Sequence, residues 1–384
     1  LVLCGCSNTN VNTFSQKLTT KVVNLTGTQN TIAQKRVFLD LSLELMDEYE
    51  LPPQKLEQNS VGGLSAITYD AKKDLFYAIS DDSVKPLFYT LKIDLNQNNS
   101  QTKINNIEIK KITFLKDKEN KNYSQIIIDP EGIAISPRNT LFVSSEGVFS
   151  KRIPPSVGEY SLDGNLIQEI KIPPYYFPNP KSEPLSQGVQ SNSGFEALAI
   201  KANGTMAEDP FRLFVATEEA LTQDIDQENP QTKNNARFLH YVINPFGEPV
   251  LIGEHIYNLD KPFFGVLSNG LTELMALSQE GHLLSLERTF GLGGAGAKIF
   301  QVVIANATDI SNTKVLEQNR DGYTFLNKKL LLDLGKLDIT LDNLEGMTLG
   351  PHLADGSQTL IVISDDNFFE QQKNQILLFK LRKK

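Results

Sequence analysis

The sequence predicts an all-β protein, a β-propeller of five four-stranded blades closed by an N-terminal strand. Three observations carry this reading. Short β-branched and aromatic runs bounded by Gly, Pro, Asn and Asp fill the chain from about Arg36 onward, as in Leu75-Phe76-Tyr77-Ala78-Ile79-Ser80 and Leu360-Ile361-Val362-Ile363-Ser364. No long amphipathic helical pattern interrupts them. One two-strand unit recurs five times, and repetition at this spacing is the signature of blades arranged around a channel.

The first unit runs from Leu64-Ser65-Ala66-Ile67 to Ala78-Ile79-Ser80-Asp81-Asp82, and the second from Pro130-Glu131-Gly132-Ile133 to Val143-Ser144-Ser145-Glu146. The third runs from Phe195-Glu196-Ala197-Leu198 to Ala216-Thr217-Glu218-Glu219, and the fourth from Thr272-Glu273-Leu274-Met275 to Leu284-Ser285-Leu286-Glu287-Arg288. The fifth runs from Leu344-Glu345-Gly346-Met347 to Ile363-Ser364-Asp365-Asp366. Two further strand-like runs follow most copies, such as Gly158–Leu162 and Leu166–Ile170 after the second. The fifth copy is followed by one such run, Gln375–Leu381, whereas Arg36–Leu41 precedes the first copy unclaimed. That N-terminal strand is expected to complete the last blade and remove two exposed sheet edges. A diverged sixth blade within 222–262 is the alternative count.

Ahead of the propeller, Leu1-Val2-Leu3-Cys4-Gly5-Cys6-Ser7 resembles the end of a bacterial lipoprotein signal, with Cys6 as the lipidated residue. Residues 1–34 are therefore expected to be a signal remnant and flexible linker, and 35–384 the propeller domain. A lipid on Cys6 would anchor the protein to a membrane outside the cytoplasm, as a periplasmic or outer-membrane lipoprotein. Cys4 and Cys6 are the only cysteines, which excludes disulfides, cysteine-rich zinc sites and a thiol nucleophile from the body of the fold. With 46 acidic against 37 basic residues the net charge is −9, which argues against nucleic-acid binding. A monomer is expected.

Acidic residues recur at fixed places in the units. The first strand begins at Ser65, Glu131, Glu196, Glu273 or Glu345; the second ends at Asp81, Glu146, Glu218, Glu287 or Asp365. Antiparallel neighbours bring these ends to one side of a sheet, so the carboxylates are expected at one mouth of the channel, with Arg288 among them. The same residues can instead serve as turn acceptors copied from blade to blade. As a set they would repel: two unit charges ~4 Å apart interact by roughly 4 kcal/mol at an effective dielectric of 20. A divalent cation, calcium above all, would relieve this, with Asp81, Glu131, Glu146, Glu196, Glu273, Glu345 and Asp365 as ligands.

Other motifs carry less. Gly291-Leu292-Gly293-Gly294-Ala295-Gly296 matches a dinucleotide-loop pattern, but the strand-like Lys298–Ile304 follows where a helix is required, so a hairpin loop is expected. His240, His255, His282 and His352 lack metal-ligand spacing. Pro173–Pro178 is expected to pack over blade edges.

The runs Glu196-Ala197-Leu198-Ala199, Leu283–Arg288 and Asp342-Asn343-Leu344-Glu345-Gly346-Met347, with the closing Ile363–Asn367, resemble the phytase-like family, labelled for esterase-like activity of phytase. The resemblance covers roughly 60–380. It implies a propeller with metal-dependent or phosphoester-related activity on a small anionic or ester substrate. Glu218, Glu287 and Arg288 are then the candidate catalytic residues, Arg288 stabilising developing negative charge. Ser65 departs from the acidic pattern, and no lysine-rich phosphate clamp aligns, which sets the chain apart from phytases proper. A non-catalytic calcium-binding propeller that recognises a glycan or protein at the cell surface is the alternative.

Overall fold

The inner strand of every blade is buried on both faces, which is why these segments read as nearly continuous apolar runs rather than strict alternation. A computed structural model of the protein describes residues 37–98, 101–179, 186–226, 228–262, 265–317 and 319–383. The lipidation expected at Cys6 and the linker expected over 7–34 lie outside the described residues. The propeller is Leu41–Lys384.

Five four-stranded antiparallel sheets form the blades. From the inner strand outward, the first is Leu64–Asp70, Leu75–Ser80, Leu87–Asn98 and Gln101–Phe114. The second is Pro130–Ile135, Leu141–Ser145, Ser156–Tyr160 and Leu166–Glu169. The third is Phe195–Ala202, Phe211–Thr217, Asn235–Ile243 and Val250–Asn258, so the segment 222–262 supplies outer strands to this blade and not a sixth one. The fourth is Val266–Ala276, His282–Gly291, Gly294–Val303 and Asn327–Asp333. Its second and third strands meet at Gly291↔Gly294, so the glycine-rich run is the hairpin loop that the sequence suggested.

The fifth blade combines Leu344–His352, Gln358–Ser364 and Gln375–Lys383 with an N-terminal strand, as expected. The position of that strand differs: it is Leu41–Glu50, paired from Leu41↔Lys383 to Glu50↔Gln375, and not Arg36–Leu41. The apolar residues Leu41, Leu43 and Leu45 alternate with polar ones here, the pattern of an outer strand buried on one face.

The core lies between blades. Phe88, Ile79, Ile133 and Val143 join the first and second; Phe142, Val157, Phe195 and Leu213 join the second and third. Phe214, Phe238, Leu274 and Val302 join the third and fourth, and Phe76, Tyr89, Ile361 and Leu378 join the first and fifth. Fully buried Arg237 braces the third blade: its guanidinium donates to both oxygens of Asp224 (2.6 and 3.0 Å) and to Glu254 Oε1 (2.7 Å). The Tyr175 and Tyr176 hydroxyls donate to the same Glu254 carboxylate, which fixes the Pro174–Tyr176 turn over the blade. The proline-aromatic loop therefore packs onto the fold.

Candidate metal centre at the channel mouth

Each inner strand enters its blade through a register shift. Leu64, Pro130, Phe195, Leu271 and Leu344 pair with Ser80, Ser145, Thr217, Glu287 and Ser364, and pairing resumes with an extra residue on the inner strand. A bulge of this kind turns a side chain away from the regular pleat and sits commonly beside functional sites. The residues following those first positions are Ser65, Glu131, Glu196, Thr272 and Glu345. One residue past the second-strand partners lie Asp81, Glu146, Glu218, Arg288 and Asp365.

The fourth blade thus places Thr272 and Arg288 where the sequence suggested Glu273 and Glu287. Because side chains alternate along a strand, a slip of one residue sends each carboxylate elsewhere. Buried Glu287 lies outside the acidic pit, accepting from the Tyr257 hydroxyl at 2.6 Å, the Asp260 backbone N–H at 2.8 Å and Lys328. Glu273 accepts from the Leu274 N–H at 2.9 Å and more distantly from the Leu198 N–H at 3.4 Å. The Leu198 contact ties the inner strands of the third and fourth blades together. Both carboxylates belong to the scaffold.

The other predicted site residues meet. Asp81, Glu131, Glu146, Glu196, Glu218, Arg288, Glu345 and Asp365 line one pit of about 370 Å³. Two residues further along the inner strands, Ile67, Ile133, Leu198, Leu274 and Met347 are buried and form the apolar wall of a separate cavity of about 490 Å³. The carboxylates therefore have apolar side chains beneath them, a poor medium for charge.

The pit has two unlike halves. Arg288 Nη2 donates to Glu218 Oε1 at 2.9 Å and Nη1 to Asn343 Oδ1 at 3.0 Å, with Nε 3.5 Å from Glu345 Oε1. Asn343 Nδ2 donates to that same Glu345 oxygen at 2.9 Å. The other half, from the first and second blades, has carboxyls with no basic residue among the described residues of its lining. Oxygens of Asp129, Glu131 and Glu146 lie within 4.8 Å of one another. Ser65 Oγ donates to Glu131 Oε2 at 2.7 Å, so the exception in the acidic ring serves the ring.

Burial raises all of these carboxyl pKa values first, and neighbouring carboxylates add to it at Asp81, Glu131, Glu146, Glu196 and Asp365. Asp81 is pushed up to about 7, Glu146 to about 8 and Asp129 to about 6. Glu131 and Glu196 lie well above the usual range, from burial and then from neighbouring carboxylates, Glu196 foremost for Glu131 and Glu218 foremost for Glu196. Glu218 reaches about 7 despite Arg288, and Glu345 and Asp365 are raised too.

Two groups lack partners for their oxygens. Glu196 is 8 % exposed and lines the pit, yet its carboxylate has no hydrogen-bond donor among the described residues. Asp81 Oδ1 is buried without a partner. Orphaned carboxylate oxygens beside a close oxygen trio fit a hard divalent cation.

Asp129 escaped the sequence reading. It precedes the inner strand by one residue, accepts the Glu146 N–H on its carbonyl at 3.1 Å, and occupies the place that Asn343 holds in the fifth blade. The signal was the Asp-Pro-Glu-Gly run itself, whose first carboxylate falls just outside the strand.

A family model described as phytase-like, esterase-like activity of phytase, matches residues 59–368. No curated protein matches the chain. Among solved structures, the chain is similar to an endo-arabinase from Bacteroides thetaiotaomicron at 11% identity and a TM-score of 0.42, covering 83% of this chain and 93% of that one. It is also similar to the catalytic domain of a Coprinopsis cinerea GH62 α-L-arabinofuranosidase at 9% identity and 0.40, covering 89% and 97%. A gluconolactonase from Xanthomonas campestris is similar at 8% identity and 0.33, covering 82% and 70%.

Proposed function

Since the chain belongs to the phytase-like family, we propose that it is a calcium-assisted hydrolase of phosphoesters or other esters, acting at the acidic mouth. The observation that carries this reading is the division of the pit, with an oxygen trio on one side and Arg288 on the other. Asp129, Glu131 and Glu146 would hold the cation, with Glu196 and Asp81 as further oxygen donors lining the same pit. Bound there, calcium supplies the positive charge that draws an anionic ester into an otherwise repelling pit.

Arg288 orients the ester from the opposite side, where its guanidinium is already fixed by Glu218, Asn343 and Glu345. As the ester bond breaks, negative charge grows on the oxygens that face this guanidinium. Glu218, at a pKa of about 7, is poised to take a proton from the attacking water near neutral pH. Water adds across the ester bond; the products are the acid and the alcohol. A lipid anchor on Cys6 would place this chemistry outside the cytoplasm, where calcium is the abundant hard cation.

The test uses chelator-treated protein, a generic phosphomonoester and a carboxyl ester. Turnover of either is expected only after calcium is restored. Turnover that ignores chelator would overturn the cation's role, and calcium binding without turnover would make the mouth a recognition site.

A further inference from the structure

The acidic pit has apolar lips, one of them on the strand that carries Arg288. Phe290 and Phe369 both line the pit, 48 % and 62 % exposed. Phe290 is two residues beyond Arg288, on the same face of the same strand. It is carried there because the inner hairpin of the fourth blade continues past the point where the others stop: Arg288 pairs with Gly270, Phe290 with Ser268, and the hairpin ends at Gly291. Phe369 comes from the fifth blade, on the turn that follows the second strand.

That turn is held in a demanding conformation. Asn367 and Phe368 have φ of 45° and 54°, a region that an aromatic residue rarely occupies. Asp365 Oδ1 accepts the Asn367 N–H at 2.8 Å, and Asp366 Oδ1 accepts the Gly63 N–H at 2.7 Å. Asp366 Oδ2 accepts from Asn374 at 2.7 Å. Backbone strain maintained by such a network is characteristic of sites that position a group. The turn seats the Phe368 ring against Gly62 and Gly63 and leaves the next residue, Phe369, in solvent, where burial elsewhere would have been favourable by roughly 1.5–3 kcal/mol.

The charge of the pit limits its ligand further. Arg288 is the sole basic residue of its lining among the described residues, beside many carboxyls. One anionic group can be met by Arg288 and a bound cation; a polyol carrying several phosphates would set its remaining charges against the acidic wall.

Resting on the hydrolase reading, we propose that the substrate is an ester with one acidic headgroup joined to an aryl-sized apolar group, which lies between Phe290 and Phe369. The headgroup points to Arg288 and the cation, and the ring stacks on the lips.

The test is calorimetric binding of phenylphosphonate, methylphosphonate and inositol hexakisphosphate to the calcium-loaded full chain. Neither phosphonate has an ester to hydrolyse, so the result is independent of turnover. Phenylphosphonate is expected to bind at least about tenfold more tightly than methylphosphonate, and the variant Phe290→Ala/Phe369→Ala to cut that preference to within about twofold. Methylphosphonate affinity should stay unchanged in the variant. Equal phosphonate affinities, tightest binding of the hexakisphosphate, a preference that survives the variant, or no binding would each overturn the proposal. Aryl preference without turnover of any ester would leave the lips intact and remove the hydrolase; calcium-dependent turnover without aryl preference would do the reverse.

Discussion

At the residue scale, Glu196 summarises the tension in the site. The residue is nine-tenths buried, and its carboxyl receives no hydrogen bond among the described residues and is pushed well above the usual carboxylate range by burial and by Glu218 and Glu146. Such a group destabilises the cation-free protein and is useful only when something positive arrives. Glu196→Gln should therefore raise the melting temperature in chelator while weakening calcium binding about tenfold or more; a lowered melting temperature would mean that Glu196 is structural. Arg237 gives the contrasting case. Its two carboxylate partners are fully buried with it, so Arg237→Leu leaves Asp224 and Glu254 uncompensated. Urea unfolding should show a loss of about 3–5 kcal/mol, the usual cost of removing one partner from a buried ion pair. The two arginines differ in purpose: Arg237 is closed in by protein, whereas Arg288 opens onto the pit.

At the element scale, the bulge at the start of each inner strand turns the acidic residues to the mouth. In four blades the second-strand partner at that point is a small hydroxyl residue, Ser80, Ser145, Thr217 or Ser364, followed at once by the acidic one. The repeat made both readable from sequence. In the fourth blade Glu287 takes the hydroxyl's place and Arg288 the carboxylate's, while the only nearby serine, Ser285, sits two residues early. Aligning acid with acid there slips both strands by one residue, which is how Glu273 and Glu287 were drawn to the mouth. A bulge leaves no compositional mark, so the sequence offers nothing to reveal the slip. Gly132 and Gly346 follow the ring position in two blades because no Cβ fits there: one on Gly346 would lie 2.9 Å from Ala66 Cα, and one on Gly132 would lie 2.5 Å from the Glu196 carbonyl oxygen. The closing strand is the other element-scale device. Removing residues through Glu50 exposes the whole hydrogen-bonding edge of Gln375–Lys383. Size-exclusion chromatography of that truncation should show self-association; a stable monomer would mean that closure is dispensable.

At the scale of the whole molecule, the acidic mouth couples stability to pH and to cations. In the unfolded chain carboxyls ionise near their ordinary values, about 4. In the fold, Asp129 holds its proton to about 6, Asp81 and Glu218 to about 7, and Glu146 to about 8. Across that interval the folded state binds more protons than the unfolded one, so the cation-free protein should lose stability as pH rises from about 4 to about 8. Calcium competes with those protons, so its stabilising effect should grow over the same interval. Differential scanning fluorimetry at about pH 5 and about pH 8, with chelator and with calcium, checks both signs: the calcium-induced rise should be larger at the higher pH. A rise that is equal at both would detach the cation from these carboxyls.

Proton counting tests the central claim most directly, that the mouth is a set of neutralised carboxyls awaiting a hard cation. Calcium is titrated into chelator-treated protein at neutral pH in two buffers of different ionisation enthalpy. The difference in heat gives the number of protons released per ion. Wild-type protein should release protons to the buffer on binding, and Glu131→Gln should bind more weakly and release fewer. Calcium binding with no proton release, or release that is unchanged in Glu131→Gln, would contradict the account.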